Sequence, residues 1–217
     1  MSNTNVVTDK RAVQTKDAAN KANIRNLALI AMLAAVATVL MLFEIPLPFL
    51  APPFYELDFS EVPVLIGTFA MGPIAGVAIE LVKILLNFIV NGTITAGVGE
   101  FGNFLIGCSL IVPAGIIYHM KKTRKHAIVG MITGTIFMAV AGCFINAFLL
   151  LPAYSSGLGI PMETLVGMGT AINPAIDSVF TFVLLAVGPF NLLKGIVVSI
   201  LTMLLYKRVS MLIKAHH

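Results

Sequence analysis

An all-α, polytopic membrane protein, a six-transmembrane-helix bundle with both termini cytoplasmic, is the architecture this sequence predicts. Three observations carry that expectation. The 217 residues are 58% hydrophobic and only 11% charged, with a mean hydropathy of +0.97, whereas a soluble domain carries roughly a quarter charged residues. Charge-free runs recur at 26–43, 62–79, 101–120 and 127–162; crossing the hydrocarbon takes about 20 apolar residues, and such runs have no polar face to turn to water. Twelve of the fourteen basic residues fall in three short segments: Lys10, Arg11, Lys16, Lys21 and Arg25; Lys121, Lys122, Arg124 and Lys125; Lys207, Arg208 and Lys214. Basic residues gather in cytoplasmic loops, so this arrangement argues against nucleic acid as the reason for the net charge of +4.

The elements follow in order. Residues 1–25 are polar and read as a cytoplasmic tail. No small-residue cleavage site follows the first apolar run, so it reads as a retained helix over about 26–43. The transmembrane domain spans 26–210, and 211–217 form a C-terminal tail. From Glu44 to the Lys121 loop the chain must cross an odd number of times. The apolar material there lies in two blocks, 60–91 and 97–120, so the first block must be two helices. Gly72-Pro73 supplies the break, because Pro removes a helix donor and restricts the residue before it. Helix 5 runs from about Ile128 to Leu151. Helix 6 runs from about Pro189 to Lys207, with Pro in the first turn, where it is tolerated. Parity then requires that Asn173 to Val187 not cross, and it reads as an outer-surface or re-entrant helix.

This topology places the polar residues of the spans. Asn146 falls near the outer end of helix 5, Asn191 and Lys194 near the outer end of helix 6, and Glu100 and Asn103 at the outer start of helix 4. The segment Pro-Phe-Asn-Leu-Leu-Lys-Gly, 189–195, sets an amide and an ammonium on one helical face, where an ionisable group needs a cavity, a partner or water. Amides and an ammonium in an apolar lining are the usual form of a small-molecule pocket. Each residue also has a structural reading: Asn146 can bond a neighbouring helix, Lys194 can snorkel to the interface, and Glu100 can cap its helix or face water. Asp58, Ser60 and Glu61 resemble a helix-entry signal, and Glu80 and Lys83 share a face and pair. Ala28, Ala31, Ala34, Ala35 and Thr38 give helix 1 a small-residue surface, with Ala31 and Ala35 as a small-xxx-small pair that admits another helix, inside the bundle or outside it.

Several chemistries are excluded. The chain has no Walker A, GxSxG or HExxH motif. No cluster of His, Cys, Asp or Glu has zinc-ligand spacing. Cys108 and Cys143 lie inside predicted spans and read as core residues. An intramembrane enzyme would need clustered acids or a nucleophile with its base, and Glu80 and Glu100 fall at opposite depths.

Taken together, Pro-Leu-Pro-Phe-Leu at 46–50, Leu-Asp-Phe-Ser-Glu-Val-Pro at 57–63, the 97–107 stretch with Glu100 and Asn103-Phe-Leu, and 189–195 resemble one family. It is the substrate-binding S components of energy-coupling factor (ECF) transporters, of the riboflavin-binding type. The resemblance covers nearly all of the chain after Arg25. It implies a non-enzymatic six-helix bundle in the bacterial cell membrane that captures riboflavin from outside, with FMN as a secondary substrate and no cofactor. It also implies isoalloxazine contacts on Asn146, Asn191 and Lys194, further substrate contacts from Phe49, Leu50 and Glu100, and a lid over Pro46 to Phe54. Ala31 and Ala35 would match a docking motif for the transmembrane coupling subunit. Two cytoplasmic ATPases would complete the machine and topple the S component in the membrane. The alternatives are an S component for another vitamin, or a standalone facilitator. The connection from Pro152 to Gly188 is longer than the family pattern.

Overall fold

The computed structural model describes residues 23–93 and 95–214, with side chains through Leu205. Residues 1–22, with Lys10, Arg11, Lys16 and Lys21, and residues 215–217 lie outside the described residues, as do the side chains of Lys207, Arg208 and Lys214; the predicted C-terminal tail from 211 is helical through Lys214.

Helix α1 runs Asn23–Met41. A two-residue ribbon follows, in which β1 (Ile45–Pro46) pairs antiparallel with β2 (Glu56–Leu57) and closes the base of the loop between them. Helices α2 (Glu61–Met71) and α3 (Pro73–Asn91) are separated by Gly72 alone. Gly72 adopts φ 109°, which side chains disfavour, so the Gly-Pro break expected from the sequence is also the turn. Helix α4 spans Val98–Lys121. Helix α5 is continuous over Arg124–Gly157, helix α6 covers Met162–Thr170, and helix α7 is continuous over 179–214.

Among the described residues, five helices, α1, α3, α4, α5 and α7, are long and apolar enough to cross a membrane, and α2, at 11 residues, is shorter. Neighbours in sequence lie side by side. Helix α4 packs most extensively on α5, α5 on α7, and α3 on α4. The main core joins Ala34 and Ala37 of α1, Leu65 and Phe69 of α2, Ile79 of α3, Leu110 and Ala114 of α4, Met138 of α5 and Val198 of α7. A second cluster, at the end of the bundle opposite the Lys121 loop, joins Leu151, Leu165, Ile176, Phe182 and Val187.

Two helices run past a proline at which the sequence expectation placed a boundary, for one physical reason. Helix α7 does not begin at Pro189, and Asn173 to Val187 is not a separate surface or re-entrant helix. Residues 173–178 are turns. Ser178 caps the helix in a reciprocal box with Thr181, and 179–187 are the first turns of α7 itself. Helix α5 likewise passes Leu151 and ends at Gly157. At each place a five-residue π turn, Asn146–Leu150 or Val183–Val187, precedes Pro152 or Pro189. Leu151 N–H bonds to the Asn146 carbonyl and Gly188 N–H to the Val183 carbonyl, five residues back. The widened turn relieves the clash and the missing donor that make Pro end an ordinary helix. Helix α5 also starts earlier than expected, because Thr123 accepts the His126 N–H as an N-cap.

The small-residue surface of α1 divides. Ala34, Ala37 and Thr38 are buried, whereas Ala28, Ala31 and Ala35 face outward. Cys108 and Cys143 are free thiols within α4 and α5.

Candidate functional site

A cavity of about 650 Å³ opens between the loop joining β1 to β2 and helices α3, α4, α5 and α7, within the range of small-molecule pockets. Of the residues singled out in the sequence, it brings together Asn146, Asn191, Lys194, Glu100 and Asn103. It does not use Phe49 or Leu50: Phe49 is 74% exposed, and the same loop instead presents Pro53, Phe54 and Tyr55 to the cavity. The loop is anchored at its middle by buried Ala51 and Pro52, and Phe49 before them faces outward.

Helix α7 supplies Phe190, Asn191 and Lys194. These residues are not at the head of the helix, since 12 residues separate Asn191 from Val179, or about 18 Å at 1.5 Å per residue. Lys194 Nζ donates to Asp58 Oδ2 at 2.7 Å, and both groups are buried. The other Asp58 oxygen accepts the Ser60 N–H at 2.7 Å. Asp58 therefore does hold the entry to α2, but it also fixes the ammonium at the cavity wall. Burial opposes its charge, yet the nearby Lys194 and Lys83 outweigh this and hold the carboxyl at about 2, so it is ionised throughout the physiological range.

Asn146 occupies the first position of the π turn in α5. Its amide donates to the Gly142 carbonyl at 2.8 Å and accepts the Tyr55 hydroxyl. Asn191 donates to the Val187 carbonyl at 3.0 Å. Both amides are thus held in place by local partners and still have bonding capacity left for a ligand. Tyr55 anchors an aromatic wall: its ring lies 4.7 Å from Phe54 and 5.6 Å from Phe190, between centroids. Burial pushes the Tyr55 phenol well above its ordinary value, so it stays a donor. Sequence reading missed Tyr55, and nothing local marks it, because its partner lies 91 residues away.

The side of the cavity formed by α3, α4 and the turn between them is polar. Glu100 accepts the hydroxyls of Thr93 and Thr95, each at 3.1 Å, and lines the cavity in the first turn of α4. Asn87 and Asn91 of α3 and Asn103 of α4 complete it. At the mouth, Glu44 is raised to about 8 by burial, then by its hydrogen bond to Glu56 and by repulsion from that carboxylate.

A second ionic cluster lies deeper in the bundle. Lys83 reaches Glu61 and Glu80, each at 2.8 Å, and the Ser60 hydroxyl at 3.2 Å. The expected pairing of Glu80 with Lys83 is present, and Glu61 joins it from α2. A side chain at position 107 would put its Cβ 2.4 Å from Glu80 Oε1, so the glycine there lets α4 close over the cluster. Among the described residues, no group of three or more His, Cys, Asp or Glu could hold a metal ion.

Comparison with known proteins gives a consistent picture. The family model of the ECF transporter substrate-specific component matches residues 25–206. Riboflavin transporter RibU of Staphylococcus aureus (strain TCH60) is 38% identical over 180 residues, covering 83% of this chain and 87% of that protein. Riboflavin transporter FmnP of Bacillus subtilis (strain 168) is 31% identical over 184 residues, covering 84% and 90%. A solved structure, described as the S component of a bacterial ECF transporter, is 40% identical with a TM-score of 0.70, covering 88% of this chain and 99% of that one. These relatives are transport proteins, in keeping with the absence of enzymatic motifs from the sequence. This multi-pass membrane chain belongs to the family of substrate-specific components of ECF transporters.

Proposed function

We propose that this chain captures riboflavin from outside the cell and hands it across the membrane as the S component of an ECF importer. One observation carries the reading most directly: the cavity sets an aromatic wall of Phe54, Tyr55, Tyr154 and Phe190 beside Asn146, Asn191 and Lys194. Riboflavin offers a flat, largely apolar ring system with carbonyl and imide groups along one edge. Rings can cover the faces, while amides and an ammonium answer the edge. The relatives named as riboflavin transporters support the same assignment. A neutral vitamin needs no anion clamp; FMN is a secondary substrate, since a phosphate gains more from added positive charge.

The topology that serves this role has six crossings, with α2 as the short one, and both termini and the Lys121 loop in the cytoplasm. The cavity then faces outside. Ala31 and Ala35, which lie on the outward face of α1, dock the transmembrane coupling subunit by close backbone approach. Two cytoplasmic ATPases drive the cycle, and the S component topples in the membrane.

The primary test is titration of the detergent-purified protein with riboflavin, followed by quenching of flavin fluorescence. Saturable quenching at one flavin per chain is expected. No quenching, with saturable capture of a different vitamin, would reassign the substrate. For the topology, an impermeant thiol reagent on intact cells should leave a cysteine at Thr123 unlabelled. Labelling there would end the six-crossing reading.

A further inference from the structure

Among the described residues, the buried side-chain atoms without a partner are Glu61 Oε2, Glu80 Oε1, Asn87 Oδ1 and Thr202 Oγ1, while Glu80 Oε2 has only its ion pair with Lys83. Only Asn87 belongs to the cavity wall. The residue is 5% exposed, so its amide is out of reach of bulk water, and a buried acceptor without a donor is costly to keep. Helix α3 has many apolar residues of similar size on its other faces. An amide on a residue that lines a cavity, with its oxygen unanswered by the protein, calls for a donor that arrives with the ligand.

The two walls differ in the ligand chemistry they suit. The rings of the cavity come from the loop before α2 and from α5 and α7. The part lined by α3, α4 and the turn between them carries no ring but amides, hydroxyls and a carboxylate: Asn87, Asn91, Thr93, Glu100 and Asn103. Asn87 and Asn91 are one turn apart and share a face. A flat heterocycle suits the first wall and a polyhydroxylated chain the second. A hydroxyl both donates and accepts, so it satisfies the Asn87 amide in either of its orientations. A ring imide carries a single N–H, which the Asn191 and Lys194 side would engage.

We infer that Asn87 is a substrate-contact residue that accepts a hydrogen bond from a hydroxyl of the ribityl chain. The α3/α4 wall is thus the polyol half of the site. This inference rests on the riboflavin reading and deepens it.

The test compares riboflavin with lumiflavin, which carries a methyl group in place of the ribityl chain. Both are ranked by competitive displacement on the wild-type protein, Asn87→Ala and Asn87→Leu. The expected result is that riboflavin weakens about tenfold or more in both variants, while lumiflavin stays within about twofold. Asn87→Leu without ligand should melt at or above the wild-type temperature, because it removes an unanswered buried acceptor. Equal weakening of both flavins would place Asn87 at the ring and overturn the assignment. So would unchanged riboflavin affinity, or a ligand-free melting temperature below wild type. If the wild-type protein binds neither flavin, the riboflavin reading itself fails, and this assignment falls with it.

Discussion

Lys83 and Lys194 are both ammonium groups buried in apolar helices, yet their surroundings differ in one decisive respect. Lys83 is 1% exposed and has three oxygens within 3.2 Å, from Glu61, Glu80 and Ser60. An ammonium has three N–H groups, so its bonding capacity is filled by the protein. Lys194 is 7% exposed and has one partner, Asp58, at 2.7 Å. It lines the cavity with capacity left over. The α4 backbone at Gly107 closes the first cluster, while the second opens on a space of about 650 Å³. A saturated buried charge ties helices together, and an unsaturated one at a cavity is available to a ligand.

The largest expected effect comes from breaking the closed cluster. Lys83→Ala leaves two carboxylates buried without a counter-charge and should destabilise the fold by about 3–5 kcal/mol. Thermal melting in detergent measures it. A melting temperature near wild type would mean that the cluster reorganises easily and that its closure is not structural.

Next is the open pair. Lys194→Ala should leave the protein folded but weaken riboflavin by roughly 10–100-fold, since a ligand acceptor loses its ammonium donor. It also leaves Asp58 unpaired, so Asp58→Asn added to Lys194→Ala should recover melting temperature without recovering affinity. If stability falls as far as in Lys83→Ala while affinity holds, the two lysines play the same role and the comparison collapses.

A smaller effect is expected at Asn191→Ala, about tenfold in riboflavin affinity. The local bond to the Val187 carbonyl is within one helix, and its loss is tolerated. Unchanged affinity would move the ring contact elsewhere on the wall. The smallest effect on binding sharpens the contrast between inside and outside. Ala35→Leu lies on the outward face of α1 and should leave flavin affinity within about twofold, while co-purification with the coupling subunit and ATPases is lost. Loss of flavin affinity would place this face in internal packing.

Much of the site could be anticipated along the chain. Asn146, Asn191 and Lys194 stand out because polar groups are expensive in apolar helices, and the structure brings all three to one cavity. Glu80 and Lys83 were legible for the same reason and because three residues is nearly one turn. Asp58 was legible only as a helix-entry residue. Its second role needs Lys194, 136 residues away, and no local pattern encodes such a pairing. Phe49 and Leu50 illustrate the converse. The loop was identified, but which of its side chains turn inward depends on how Ala51 and Pro52 are buried.

By itself, then, the sequence determined that this chain is a helical membrane bundle, where its first helices break and which polar residues are anomalous. Those properties follow from the cost of placing a charge or an unpaired backbone group in hydrocarbon, and that cost is read residue by residue. Only the tertiary structure decided that α5 and α7 run through Pro152 and Pro189, because a π turn forms where neighbouring helices hold it. It also decided which buried charges are saturated and which amide is left unanswered. Those are questions of what meets what across the bundle, and side chains far apart in sequence settle them only once the helices have packed.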